Sequence, residues 1–124
     1  MDNNDWPTEL RLKDGGRLLE VAFESGRRFQ LAAEYLRVMS PSAEVRGHSP
    51  QERKTIGGKS AVTVTGIDPI GTYAVRLSFS DSHSTGIYTW SYLYELGAEF
   101  ETKWAAYLAE LAQKKLTRDR PGEA

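Results

Sequence analysis

The sequence predicts an α+β domain, a mainly antiparallel β-sheet with short helices and a C-terminal α-helix packed on it. Three observations carry that prediction. Apolar and polar residues alternate through residues 8–31, broken by the tight-turn signals "DGG" and "ESG". The alternation returns in "AVTVTGIDPIG" and "TYAVRLSFS". The stretch from Glu99 to Lys115 instead repeats its apolar residues at helical spacing.

Residues 1–7 read as a flexible lead, residues 8–116 as the single domain, and residues 117–124 as a polar tail that frays. "TELRLK" places Leu10 and Leu12 on one face of a first strand. "RLLEVAF" points Leu19, Val21 and Phe23 inward, and "RRFQL" completes a three-stranded meander. "AAEYLRVM" changes to helical spacing, with Leu31, Tyr35 and Met39 on roughly one side.

Periodicity is lost from Ser40 to Ser60, a stretch that contains Pro41, Gly47, Pro50, Gly57 and Gly58. A loop of that length inside a compact domain is usually functional or disordered. Beyond it, Val62 and Val64 alternate with threonines until Pro69, which is expected to end the ladder. The clearest strand has Tyr73, Val75, Leu77 and Phe79 on one side and Arg76 and Ser78 on the other. "DSHS" is a turn, "TGIYTW" a short strand, and "SYLYEL" a helix for which Gly97 is the expected C-terminal cap. In the last helix, Phe100, Trp104, Tyr107, Leu108 and Leu111 form the apolar stripe.

Composition narrows the function by exclusion. The 124 residues include sixteen basic and seventeen acidic side chains, a net charge of -1 that gives no electrostatic footprint for nucleic acid. The chain has no cysteine, which rules out disulfides, thiolate catalysis and thiolate metal sites. The opening "MDNNDWPTE" has neither the basic start nor the apolar run of a signal peptide, so the expected location is the cytoplasm, with no membrane partner.

Two blocks carry a resemblance. "LEVAFESGRRFQLAAEYLRVMSPSAEVRGH" and "IDPIGTYAVRLSFSDSHSTGIYTWSYLYELG" are similar to the gamma-butyrobetaine hydroxylase-like N-terminal domain, from about Thr8 to Gly97. The resemblance implies a domain found before the catalytic domain of carnitine-synthesis oxygenases, fused to ATPases that carry iron–sulfur clusters, or alone in bacteria as a domain of unknown function. It also implies a structural zinc, held by a Cys-Pro-Cys-x-x-Cys stretch and by the histidine of a "DGH" turn. Here the three cysteine places are Ser40, Ser42 and Val45, and the histidine place is His83 in "DSH", with Ser82 where the family has glycine. Hydroxyls are poor zinc ligands and valine is none, so no metal or other cofactor is expected.

Other chemistries find little support. A substitute metal site would have to be built from Glu44, His48, Asp81 and His83, against the plainer reading of loop histidines in hydrogen bonds or solvent. No serine or carboxylate is spaced around His48 in a triad pattern. The iron-binding H-x-D of the oxygenases is absent, since "SP" follows His48 and "ST" follows His83. "TIGGKS" lacks the first glycine of a phosphate loop.

The basic residues Arg37, Arg46, Arg53, Lys54 and Lys59 gather around the long loop, either as a solvated surface or as a docking face for an acidic protein. The aromatics Tyr88, Trp90, Tyr92 and Tyr94 are expected mostly in the core. The reading that results is a non-enzymatic cytoplasmic interaction or adaptor domain. Its protein partner would be recognised by Arg37, Glu44, Arg46, His48, Asp81 and His83. The alternatives are a metal-handling accessory linked to iron–sulfur proteins, suggested by the family's fusions, and a small-molecule binding domain.

Overall fold

The structure is a computed structural model that describes residues 6–42 and 55–119. Among the described residues, two antiparallel three-stranded sheets and three α-helices make up the fold. The first sheet contains β1 (Pro7–Lys13), β2 (Leu18–Phe23) and β3 (Arg28–Ala32), with β2 in the centre. A 3-10 turn at Asp14–Gly16 joins β1 to β2 where "DGG" predicted a turn, and all three of its residues have positive φ. Leu19 pairs with Leu12 and Leu31, and Val21 with Leu10 and Phe29. Every residue from Leu19 to Phe23 is buried: β2 is the central strand, with the core on one face and side chains of the flanking strands, such as Lys13 and Arg28 over Glu20, on the other.

Helix α1 (Ala33–Val38) follows directly and is buried along its whole length. After it, β4 (Val64–Ile70), β5 (Ala74–Phe79) and β6 (Ile87–Thr89) form the second sheet, with β5 in the centre. Helices α2 (Trp90–Ala98) and α3 (Phe100–Gln113) complete the described fold. Thr89 caps α2 by accepting the Tyr92 amide, as short polar side chains do at this position.

One core joins the two sheets. Leu19, Val21, Phe23 and Leu31 of the first meet Val64, Val75, Leu77, Phe79 and Tyr88 of the second, together with Leu36 of α1 and Leu93 and Leu96 of α2. Burying each such aliphatic side chain stabilises the fold by about 1.5–3 kcal/mol before entropy is counted. A smaller cluster of Val38, Tyr107 and Leu111 seats α3 against α1. Trp104 lies edge-on to Tyr35 at 6.0 Å and stacks on Phe100 at 5.9 Å. Phe100 and Leu108, the outer members of the expected stripe, remain exposed.

Three local expectations are corrected. Pro69 does not end the ladder but pairs with Val75 inside β4. β4 is bonded on one side only, where a missing N–H is tolerated. Tyr73 is 53% exposed, because it lies in the turn before β5 instead of on its buried face. Gly97 is not a cap but the penultimate residue of α2, whose C-cap is Glu99. A Cβ at Gly97 would overlap the Phe29 ring, so this glycine lets the helix lie close on β3.

Candidate functional site

The end of α1 and the turn after β5 meet in a hydrogen-bonded frame. α1 carries the chain into the core, and its last carbonyls lack helical partners. Two tyrosines, from β6 and α2, supply them. The Tyr88 hydroxyl donates to the Leu36 carbonyl at 2.6 Å, and the Tyr92 hydroxyl to that of Met39 at 2.6 Å. This fixes where Ser40, Pro41 and Ser42 leave the helix.

Ser40 is 1% exposed and its Oγ lies 2.9 Å from His83 Nε2, a hydrogen bond that spans the two segments. The same Oγ accepts the Ser42 amide at 3.2 Å, and Ser42 Oγ meets Thr85 Oγ1 at 2.8 Å. Gly86 allows the contact, since a Cβ there would strike Ser40 Oγ and come within 3.3 Å of Pro41 Cδ. Ser82, at the place where the resemblance has glycine, takes a φ of 74°. The turn has therefore kept a backbone shape that glycine adopts more easily.

An ion cluster closes the frame from the side. Asp81 Oδ2 accepts Arg37 Nε at 2.8 Å and Lys59 Nζ at 2.6 Å, and Asp81 Oδ1 accepts the His83 amide at 3.2 Å. Burial pushes the Asp81 carboxyl up, but Lys59, the His83 amide and Arg37 outweigh it and draw it down to about 2. Arg37 Nη1 is buried without a hydrogen-bond partner among the described residues.

Three of the expected recognition residues, Arg37, Asp81 and His83, are thus brought together. Arg37 and His83 are buried, and all three contact one another or the frame. Glu44, Arg46 and His48 lie outside the described residues, as do Val45, Arg53 and Lys54, so the structure places none of them. Lys59, which sequence reading knew only as one of several loop cations, is a full member of the cluster. Among the described residues no group of three or more His, Cys, Asp or Glu side chains is arranged to hold a metal ion. The residues at the implied zinc places also fail on chemistry. Ser40 and Ser42 offer hydroxyls that bond to His83 and Thr85, and the His83 nitrogen that faces them is the one bonded to Ser40.

A family model described as gamma-butyrobetaine hydroxylase-like, N-terminal, matches residues 10–94. Two structures solved by NMR in solution are similar throughout. One is 41% identical over 97% of this chain and 94% of its own, with a TM-score of 0.79. The other is 39% identical over 100% and 95%, with a TM-score of 0.81. A crystal structure of a protein of unknown function from Acidithiobacillus ferrooxidans, of the DUF971 family, is 41% identical over 75% of this chain and 93% of its own, with a TM-score of 0.63. No curated protein matches.

Proposed function

The chain belongs to the gamma-butyrobetaine hydroxylase-like, N-terminal family, and from that premise we propose that it is a non-enzymatic interaction domain of the bacterial cytoplasm. Its partner would be a protein, met along the edge where the chain leaves α1 toward Arg46 and His48 and where the Asp81–His83 turn returns. The observation that carries this reading is the hydrogen bond between Ser40 and His83. The frame where the resemblance implies a metal loop is held by hydroxyls, an imidazole and an ion cluster. A loop frame held in place by these means serves as a surface, and its rim charges tune encounter and specificity. The Ser40–His83 pair itself does not read as a catalytic dyad, because Ser40 is 1% exposed and Gly86 lies against its hydroxyl.

The domain has no described helix long and apolar enough to cross a membrane. The test is the double substitution Arg46→Ala with His48→Ala, read by thermal unfolding and by capture of partner proteins from the native cytoplasm. An intact fold with a specific partner lost is the expected outcome. Undiminished capture of that partner contradicts the assignment of the edge.

A further inference from the structure

Residues 114–119, after α3, fold back on the domain, although the polar composition from Thr117 onward reads as a fraying tail. Lys115, at a φ of 59°, turns the chain out of the helix, and the Leu116 and Lys115 amides bond back to the carbonyls of Leu111 and Ala112. The segment then lies against residues 57–60. Gly58 donates its amide to the Thr117 carbonyl at 2.8 Å, and Ser60 donates to that of Arg118 at 3.0 Å. Ser60 Oγ also donates to Asp119 Oδ1 at 3.0 Å.

Two side chains fasten it. Leu116 packs into the cluster of Val38, Tyr107 and Leu111. Arg118 makes a two-point pair with Glu34, Nε to Oε2 at 2.8 Å and Nη2 to Oε1 at 2.7 Å, with its guanidinium 5.3 Å from the centre of the Trp104 ring. Glu34 is only 6% exposed, whereas the Arg118 side chain is 47% exposed. The receptor side is therefore built into the domain and the ligand side is a surface strap. Leu116 and Arg118, two residues apart, both reach into the domain from this segment. A buried carboxylate fork, an aromatic face and a row of backbone donors together form a site selective for arginine over lysine.

We propose that the groove formed by Glu34, Trp104 and the Gly58–Ser60 backbone is an arginine-recognition site, closed in cis by Leu116–Arg118. Its intended occupant is an apolar-x-Arg segment of a partner protein, which displaces the strap. The groove is joined to the loop frame by Lys59, whose ammonium binds Asp81 while its neighbours Gly58 and Ser60 hold the strap. The proposal goes beyond the loop edge, and its test does not depend on Arg46 or His48.

The probe is a fluorescent peptide of sequence KLTRD, titrated by anisotropy into the full chain carrying Arg118→Ala. The variant should bind it about tenfold or more tightly than the unsubstituted protein, in which the tethered strap competes at high effective concentration. Adding Glu34→Gln should abolish binding, and a KLTKD peptide should bind at least about tenfold more weakly. A folded Arg118→Ala protein that ignores the peptide overturns the proposal and leaves the strap a structural clasp. Equal binding to both proteins also overturns it, and so does a strap exchanged between two copies, seen as dimerisation of the unsubstituted chain. Should Arg118→Ala fail to fold, Arg118→Lys carries the same comparison, since it keeps the charge and loses the two-point pair.

Discussion

Ser40 Oγ lies 2.9 Å from His83 Nε2, joining the end of α1 to the turn after β5 across a sequence separation of 43. Both residues are buried, so removing one partner takes a buried hydrogen bond from the other. Ser40→Ala is expected to lower the unfolding free energy by about 1–3 kcal/mol, because His83 and the Ser42 amide both lose their acceptor or donor. Ser42→Ala, which removes the hydroxyl that meets Thr85 at a less deeply buried position, should cost less, about 1 kcal/mol. Urea unfolding of both variants checks the ranking, and a Ser40→Ala midpoint equal to that of the parent contradicts it.

The Asp81 cluster makes stability depend on pH at the acid end. Its folded carboxyl is held down to about 2 by the groups around it, below the value of about 3.9 expected in the unfolded chain. A depressed carboxyl contributes its stability above the unfolded value and loses it as the pH falls through the folded one. The unfolding midpoint should therefore drop between about pH 4 and pH 2. Asp81→Asn should flatten part of that drop and cost on the order of 2 kcal/mol at neutral pH, where Arg37 and Lys59 are left facing an amide. Parallel acid titrations of the two proteins measure it, and superimposable curves would count against the cluster.

The end of α3 offers a test in the stabilising direction. Lys115 holds the left-handed position that usually belongs to glycine, with the Leu116-to-Leu111 and Lys115-to-Ala112 amide bonds that accompany it. Lys115→Gly should raise stability by up to about 1 kcal/mol, since the lysine carries the steric cost of that backbone. A loss of stability in thermal unfolding would mean that the lysine side chain supports the strap.

Much of the fold was legible in the sequence because alternation reports burial wherever one face of a strand meets the core. Leu19, Val21 and Phe23 in β2, and Val75, Leu77 and Phe79 in β5, are buried as their spacing implies. Spacing could not report contacts between distant elements. Gly97 looks like a helix stop in one dimension, and only the Phe29 ring packed against it explains the residue. Pro69 looks like a strand stop until β4 is known to be an edge.

The site was legible in a different way. Ser40, Ser42 and His83 were marked by family resemblance, whereas the pairing of Arg37 with Asp81 joins residues 44 apart and leaves no local trace. The Arg118 strap was missed altogether. Its one available signal was Glu34, a carboxylate set among the apolar residues Ala33, Tyr35 and Leu36 and so in need of a cation from elsewhere.

The hydrogen-bonded frame is tested most directly by metal analysis of the purified chain, together with its unfolding in the presence and absence of a chelator. Ser40, Ser42 and His83 bonded as they are should leave far less than about one zinc per chain, and an unfolding midpoint that the chelator does not move. About one zinc per chain, lost on His83→Ala and accompanied by a chelator-sensitive midpoint, would contradict it.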